Sequence, residues 1–121
     1  MTTLTVDDMP ASVTMMTKML YALFPDGRHF GAKNADEALR LITEDTGAAF
    51  LDVEMPGMNG FELAKLLKKR NAHLHIIIMS GSSEYERRAQ ESSYSFLQKP
   101  VFEEDILSAL KSFDNKAQEP E

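Results

Sequence analysis

The hydrophobic residues of this 121-residue chain follow two alternating patterns, one typical of buried strands and the other typical of amphipathic helices. The strand-like segments are short and apolar, and the third shows no polar alternation, as expected for a strand that helices cover on both faces. The fourth is the clearest, because it contains three consecutive isoleucines. We predict strands at Leu4–Val6, His29–Lys33, Ala48–Leu51, His75–Met79 and Ser95–Gln98.

Segments with helical spacing separate the predicted strands. The first helix is expected to begin at Pro10 or Ser12, because proline suits the first helical turn and serine caps it. Asn34 is a good N-cap for the second helix, with Glu37 in the capping-box position. The fourth helical segment is charged and only weakly amphipathic. The last three helices are predicted at Phe61–Arg70, Ser83–Glu91 and Glu103–Phe113.

Strands that alternate with helices predict an α/β fold, a five-stranded parallel sheet that is doubly wound, with helices on both faces. We expect residues 1–113 to form this domain and residues 114–121 to form a polar C-terminal tail. Crossovers in such a sheet are right-handed, and ligands bind outside the carboxyl ends of the strands. The carboxyl ends are therefore where chemistry is expected.

Polar residues stand at four of these carboxyl ends, namely Asp7, Asp8, Asp52, Ser80 and Lys99. Because parallel strands end at the same edge of the sheet, we expect these side chains to converge there. Each residue alone has a simpler explanation, such as a helix cap, a turn, a loop or a surface lysine before a proline. Their occurrence together favours a functional site.

Three carboxylates in one pocket stay ionised near neutral pH only if a cation lies among them. A hard ion such as Mg²⁺, or alternatively Mn²⁺, fits a site that contains neither histidine nor cysteine. A carboxylate that is not needed by the metal can accept a phosphoryl group. The metal, the Lys99 ammonium and the Ser80 hydroxyl would each neutralise or bond one phosphoryl oxygen.

Composition and charge exclude several other classes of protein. The chain has no cysteine, which excludes a disulfide scaffold and a thiolate metal site, and its net charge of -6 argues against direct binding of nucleic acid. The basic cluster Lys65, Lys68, Lys69 and Arg70 is expected to be a solvated helix face. With no signal peptide and no apolar run long enough to span a bilayer, a cytoplasmic location is expected.

Three segments of the sequence closely resemble the receiver domain of response regulators in two-component signalling systems. They are Val6-Asp7-Asp8, the run from Leu51 to Gly60 and Lys99-Pro100. The resemblance extends from about Leu4 to Phe113. It implies a flavodoxin-like sheet with strand order 2-1-3-4-5 and five helices. The stretch from Ser80 to Lys99 is a few residues shorter than usual in this family, so the fourth helix is expected to be short or irregular.

The resemblance also implies roles for the residues that match the family motifs. Asp52 would be the phosphoacceptor. Asp8 would bind Mg²⁺ directly, Asp7 largely through water, and Asp52 and the backbone carbonyl of Glu54 would complete the protein ligands. Lys99 would pair with Asp52 and later bond the phosphoryl group.

Further positions match the conformational switch of the family. Ser80 stands at the position of the switch hydroxyl, and Phe96 at that of the switch aromatic residue. The peptide bond between Lys99 and Pro100 is expected to be cis, and Gly81 should leave room for the phosphoryl group. In this family, phosphorylation draws the hydroxyl toward the phosphate, turns the aromatic inward and reshapes the face formed by the fourth helix, fifth strand and fifth helix.

Glu54 and Ser82 stand at positions that tune phosphoryl hydrolysis in this family. The resemblance implies partners as well: a sensor histidine kinase or phosphotransfer protein as the donor, and a downstream protein target. Only self-phosphorylation and slow autodephosphorylation are expected as catalysis, in a monomer or weak dimer. Both a single-domain regulator and a domain of a longer regulator fit this sequence.

Three other functions compete with this one. A receiver-like interaction module that works without phosphate is the alternative, kept open by the short stretch from Ser80 to Lys99. A flavodoxin-like cofactor domain needs a glycine-rich phosphate loop after the first strand, where Asp7 and Asp8 stand instead. A phosphatase of the haloacid dehalogenase type would have acids at alternate positions there.

Overall fold

The computed structural model describes the backbone of residues 1–118 and the side chains of residues 1–111. Within residues 1–118 the strands are β1 (Thr2–Val6), β2 (Arg28–Ala32), β3 (Thr46–Asp52), β4 (His75–Ser80) and β5 (Ser95–Gln98). The helices are α1 (Pro10–Leu23), α2 (Ala35–Leu41), α3 (Gly60–Arg70), α4 (Glu86–Glu91) and α5 (Glu103–Gln118). The strands form one parallel sheet in the order β2-β1-β3-β4-β5, which confirms the predicted fold class.

The continuous apolar runs of β3 and β4 have a direct structural cause, because successive side chains of a strand point to opposite faces of the sheet. Ile76 and Ile78 pack with residues of α3 in one core cluster. Ile77 and Met79 pack with residues of α1 and α5 in the other. A strand that is covered on both sides has no solvent-facing position, so no polar alternation is left for the sequence to show.

Helix N-termini are capped partly as predicted. Pro10 begins α1, and no side chain caps that helix. The Asn34 side chain caps α2 by accepting a bond from the amide of Glu37, as predicted, but the Glu37 carboxylate bonds the amide of Lys33 instead of that of Asn34. The complete capping box lies at α3, where the side chain of Asn59 and that of Glu62 each accept the other's backbone N–H.

The fourth helix is short, as expected. It spans Glu86–Glu91 and follows a 3₁₀ turn at Ser83–Tyr85. It is attached by the buried Ala89 and by the Arg88 guanidinium, which lies 4.1 Å from the centre of the Phe61 ring of α3. This cation–π contact was not predicted from the sequence, where Arg88 is one of several charged residues.

The last helix continues beyond Phe113, its predicted end, to Gln118. The polar residues that follow Phe113 include neither glycine nor proline before Pro120, so polarity alone did not end the helix. The rest of the predicted tail, residues 119–121, lies outside the described residues. Among the described helices, none is both long and apolar enough to cross a membrane.

Candidate functional site

The five predicted polar residues lie at the same edge of the sheet. Asp7 and Asp8 directly follow β1, Asp52 is the last residue of β3, Ser80 is the last residue of β4, and Lys99 directly follows β5. The strand ladder fixes these positions, because Asp52 is in register with Met79 and the amide of Lys99 donates to the carbonyl of Ser80 at 2.8 Å. The edge therefore gathers residues that are far apart in the sequence.

The three carboxylates form a compact acidic cluster. One oxygen from each of Asp7, Asp8 and Asp52 lies within 4.8 Å of the others. Asp7 and Asp52 are buried, whereas Asp8 is exposed. Like charges held this close in a poorly solvated pocket repel one another, so the arrangement favours binding of a cation. The donor set consists only of oxygens, which suits a hard divalent ion.

Both side-chain oxygens of Asp7 accept hydrogen bonds from N–H groups. Its Oδ1 accepts a bond from the amide of Met9 at 3.0 Å. Its Oδ2 accepts a bond from the Lys99 ammonium at 2.7 Å. A carboxylate with both oxygens engaged is poorly placed to bind a metal directly.

Lys99 bridges the two buried acids. Its Nζ lies 2.7 Å from Asp7 Oδ2 and 3.2 Å from Asp52 Oδ1, and its side chain is 27% exposed. The resemblance implied the pair with Asp52; the shorter pair with Asp7 was not predicted. Burial alone would lower the pKa of Lys99, but the hydrogen bonds and charges of Asp7 and Asp52 outweigh it and hold that pKa above its usual value.

The pKa of the Asp52 carboxyl is raised above its ordinary value of 3.8. Burial is the largest cause, because it removes water from the charged form, and the negative charge of Asp7 adds to it. The charge and hydrogen bond of Lys99, together with the backbone amide of Glu54, offset only part of this effect. Asp52 is therefore a carboxylate whose charge the pocket does not fully compensate.

Ser80 is 1% exposed, and its hydroxyl bonds to two residues that do not belong to the acidic cluster. Its Oγ donates to Oε1 of Glu54 at 3.3 Å and accepts a bond from the amide of Ser82 at 3.0 Å. The resemblance placed Glu54 at the site only as a backbone ligand and a rate-tuning position. The bond between its side chain and Ser80 joins residues 26 positions apart, and no local sequence signal marks it.

The loop between β3 and α3 is anchored against the site by Gly60. A Cβ atom at this position would lie 2.5 Å from the backbone oxygen of Asp52, so only glycine lets α3 begin so close to the end of β3. The amide of Gly60 donates to the carbonyl of Val53 at 3.3 Å. The close packing of Gly60 against the backbone of Asp52 thus explains why a glycine stands at this position.

The remaining predicted residues are not members of the acidic cluster. Phe96 lies in β5, is half-buried and packs against the core cluster on the α3 side of the sheet. Ser82 caps the 3₁₀ turn, and a Cβ atom at Gly81 would meet no atom within 4 Å, so space is open there. The peptide bond between Lys99 and Pro100 is cis.

An apolar cavity of about 370 Å³ opens beside the acidic cluster. Asp7 and Lys99 are among the residues that line it, as is Val101 from the loop after β5. Methionines line most of the rest, namely Met15, Met16, Met19 and Met79. The charged pocket therefore borders an apolar surface that runs along α1.

Comparisons with known proteins agree with this fold. Residues 3–111 match the protein-family model described as response regulator receiver domain. The chain is 34% identical over 116 residues to the positive alginate biosynthesis regulatory protein of Pseudomonas aeruginosa. The matched region covers 92% of this chain and 46% of that protein. The chain spans about half the length, or less, of the first curated relatives it matches.

Solved structures of receiver domains have the same fold. A CheY-like response regulator receiver domain protein from Methanospirillum hungatei superimposes with a TM-score of 0.79 at 26% identity, covering 98% of both chains. The response regulator TrrA of Thermotoga maritima, solved in complex with Mg²⁺ and BeF, has a TM-score of 0.78 at 24% identity over 93% of this chain and 97% of that chain. The second likeness bears on the fold alone.

Proposed function

Because this chain belongs to the response regulator receiver domain family, we propose that it is the phosphoacceptor switch of a two-component phosphorelay, phosphorylated on Asp52. The function of this family is that of a phosphoacceptor switch and not that of a classical enzyme. The observation that carries the proposal is the meeting of Asp7, Asp8, Asp52 and Lys99 at one edge of the sheet.

Asp52 is the acceptor that the pocket favours. Both oxygens of Asp7 are held by N–H donors, and Asp8 is exposed to water, whereas Asp52 is buried, accepts a bond from Lys99 at Oδ1 and is stabilised further by the backbone amide of Glu54. An oxygen of Asp52 attacks the phosphorus of a phosphohistidine, and the phosphorus–nitrogen bond breaks. The electron pair of that bond stays on the imidazole, which then takes up a proton.

The acidic cluster fits Mg²⁺, with Mn²⁺ as a substitute, since all its donors are oxygens. Asp8 and Asp52 would hold the ion directly, with the backbone carbonyl of Glu54, and Asp7 would act through water because its own oxygens are engaged. When bound, the ion supplies positive charge to the phosphoryl oxygens.

Lys99 and Ser80 would complete the stabilisation of the transferring group. Lys99 holds a positive charge between Asp7 and Asp52, at the place where a phosphoryl group on Asp52 would add negative charge. The hydroxyl of Ser80 would bond one phosphoryl oxygen, and to do so it must break its hydrogen bond to Glu54. Self-phosphorylation and slow autodephosphorylation are the only catalysis that we propose for this set of groups.

Phosphorylation is proposed to act on partners through a population shift. Movement of Ser80 toward the phosphate would leave space into which the half-buried Phe96 turns, and this would reshape the surface formed by α4, β5 and α5. A downstream protein that prefers the reshaped surface would then bind. The receiver domain is proposed to comprise residues 1–113, as a monomer or weak dimer.

The phosphodonor is proposed to be a sensor histidine kinase or a phosphotransfer protein. The cavity beside Asp7 and Lys99 gives such a partner an apolar contact next to the acceptor. The net charge of -6 does not favour direct contact with nucleic acid. We propose a cytoplasmic location for this exchange.

Incubation with a small phosphodonor and Mg²⁺, followed by intact-mass measurement, tests the proposal. The parent protein should gain one phosphoryl group, and the gain should be lost in Asp52→Asn and when the metal is chelated. Asp45→Asn, which changes an exposed acid outside the cluster, is the matched control and should keep the gain. No gain with any donor would favour the alternative, an interaction module that works without phosphate.

A further inference from the structure

The hydroxyl of Ser80 already has a partner for its only proton. Its Oγ donates to Oε1 of Glu54 at 3.3 Å and accepts the bond from the Ser82 amide at 3.0 Å. A serine hydroxyl carries one proton and therefore makes one donor bond at a time. A bond from Ser80 to a phosphoryl oxygen and a bond from Ser80 to Glu54 exclude each other.

The backbone holds Glu54 in position for this bond. The amide of the preceding residue, Val53, donates to the carbonyl of Met79 at 3.0 Å, which extends the ladder between β3 and β4 past Asp52. Val53 and Met55, on either side of Glu54, are both buried, so the carboxylate projects from a fixed stretch of chain toward the end of β4. The contact thus connects the ends of two neighbouring strands.

We infer that Glu54 is a positioning residue that holds the Ser80 hydroxyl away from the phosphoryl group and so favours the unphosphorylated conformation. We call this contact the Glu54–Ser80 latch. The inference rests on the function proposed above, and it goes beyond a rate-tuning role because it names the partner and the direction of the effect. Before Ser80 can donate to a phosphoryl oxygen, its hydrogen bond to the charged Glu54 carboxylate has to break, and this costs free energy.

The latch also links the site to the segment that leads into α4. The Ser82 amide donates to Ser80 Oγ, and the Ser82 side chain caps the 3₁₀ turn Ser83–Tyr85 by accepting from the amide of Glu84. When Ser80 turns toward the phosphate, the Ser82 amide has to follow it or lose its acceptor. Glu54 therefore biases the position of this segment as well as that of the hydroxyl.

Binding of beryllofluoride, a phosphoryl analogue, in the presence of Mg²⁺ tests the latch in the whole chain. Glu54→Ala should bind it about 5- to 10-fold more tightly than the parent, since the hydroxyl is free from the start. Glu54→Gln should fall between the two, because its amide oxygen still accepts a bond but carries no charge. Glu84→Gln removes a nearby charge without touching Ser80 and should stay within about twofold of the parent.

A double-mutant cycle separates the latch from simple charge repulsion. With Ser80→Ala as the background, Glu54→Ala should give no further tightening. The inference is overturned if the gain persists in that background, or if Glu54→Gln equals Glu54→Ala, because either result means that only the charge of Glu54 matters. Urea unfolding of each variant verifies that the fold is kept.

The amide NMR signal of Ser82 gives a second readout. In free Glu54→Ala, this signal should move toward its position in the beryllofluoride-saturated parent, and an unmoved signal contradicts the latch. If the parent itself binds no beryllofluoride with Mg²⁺, the proposed function fails and the latch with it. If instead the parent binds beryllofluoride but Glu54→Ala does not bind it more tightly, the latch fails and the proposed function stands.

Discussion

Asp52→Asn should make the unphosphorylated protein more stable at neutral pH, although it removes one partner of an ion pair. Three electrostatic contributions decide the sign. Attraction to Lys99 at 3.2 Å is about 5 kcal/mol at an effective dielectric constant of about 20. Repulsion from an Asp7 oxygen no more than 4.8 Å away is about 3.5 kcal/mol or more on the same basis.

Removal of the Asp52 carboxylate from water adds a cost of several kcal/mol, since its side chain is only 6% exposed. The two unfavourable contributions together exceed the attraction, in agreement with the raised pKa of Asp52. We expect Asp52→Asn to raise the free energy of unfolding at pH 7 by about 1–3 kcal/mol, because Lys99 keeps Asp7 as a partner while an incompletely compensated buried charge is removed.

The pH dependence follows from the direction of the pKa shift. The folded state binds the Asp52 proton more tightly than the unfolded state, whose pKa is 3.8, so stability is lost as pH rises from 3.8 through the raised folded pKa. The gain in the free energy of unfolding from Asp52→Asn should therefore be largest above the pKa of Asp52 in the folded state and should vanish below pH 3.8.

Urea unfolding followed by circular dichroism from pH 3 to pH 8, in metal-free buffer, measures this difference. Asp8→Asn, at the exposed member of the cluster, should change stability less. If Asp52→Asn proved less stable than the parent at pH 7, the attraction of Lys99 would be the dominant contribution, and the reasoning about an uncompensated carboxylate would be refuted.

Three further substitutions test the scaffold by the same urea assay. Gly60→Ala should lose about 1–3 kcal/mol, because its Cβ would lie 2.5 Å from the Asp52 carbonyl oxygen; unchanged stability would contradict that contact. Asn71→Ala should lose about 1–3 kcal/mol, since its amide donates to two carbonyls between α2 and β3 and to that of Thr46, the first residue of β3. Ser93→Gly should gain up to about 1 kcal/mol, because Ser93 has a φ of 63°; a loss would show that its side chain matters more.

The sheet could be predicted from the sequence because its signals are local. The isoleucines of His75–Met79 mark a central strand, because apolar side chains have to pack on both of its faces. The observed β4 is one residue longer than predicted and ends at Ser80. The third strand begins at Thr46, earlier than the predicted Ala48, because pairing with β1 continues across an irregularity beside Gly47. In a sequence, a glycine such as Gly47 suggests that a strand begins or ends beside it. In the fold, the neighbouring strand determines where the pairing stops.

The candidate site was predictable as a set of residues, but of its bonds only the pair between Lys99 and Asp52 was predicted. The rule that parallel strands end at one edge is enough to bring Asp7, Asp52 and Lys99 together. The bond from Lys99 to Asp7 joins residues 92 positions apart, and the bond from Ser80 to Glu54 depends on loop geometry. Such contacts depend on ångström-scale placement, which no sequence pattern carries.

The most direct measurement of the central claim is the chemical location of the phosphoryl group after reaction with a phosphodonor and Mg²⁺. Borohydride reduces an acyl phosphate on aspartate to homoserine, whereas a phosphate ester on serine is not reduced, and peptide mass spectrometry then identifies the altered residue. We predict homoserine at position 52 and at no other acid of the cluster. Modification of Asp7, Asp8 or Ser80 in place of Asp52 would contradict the claim.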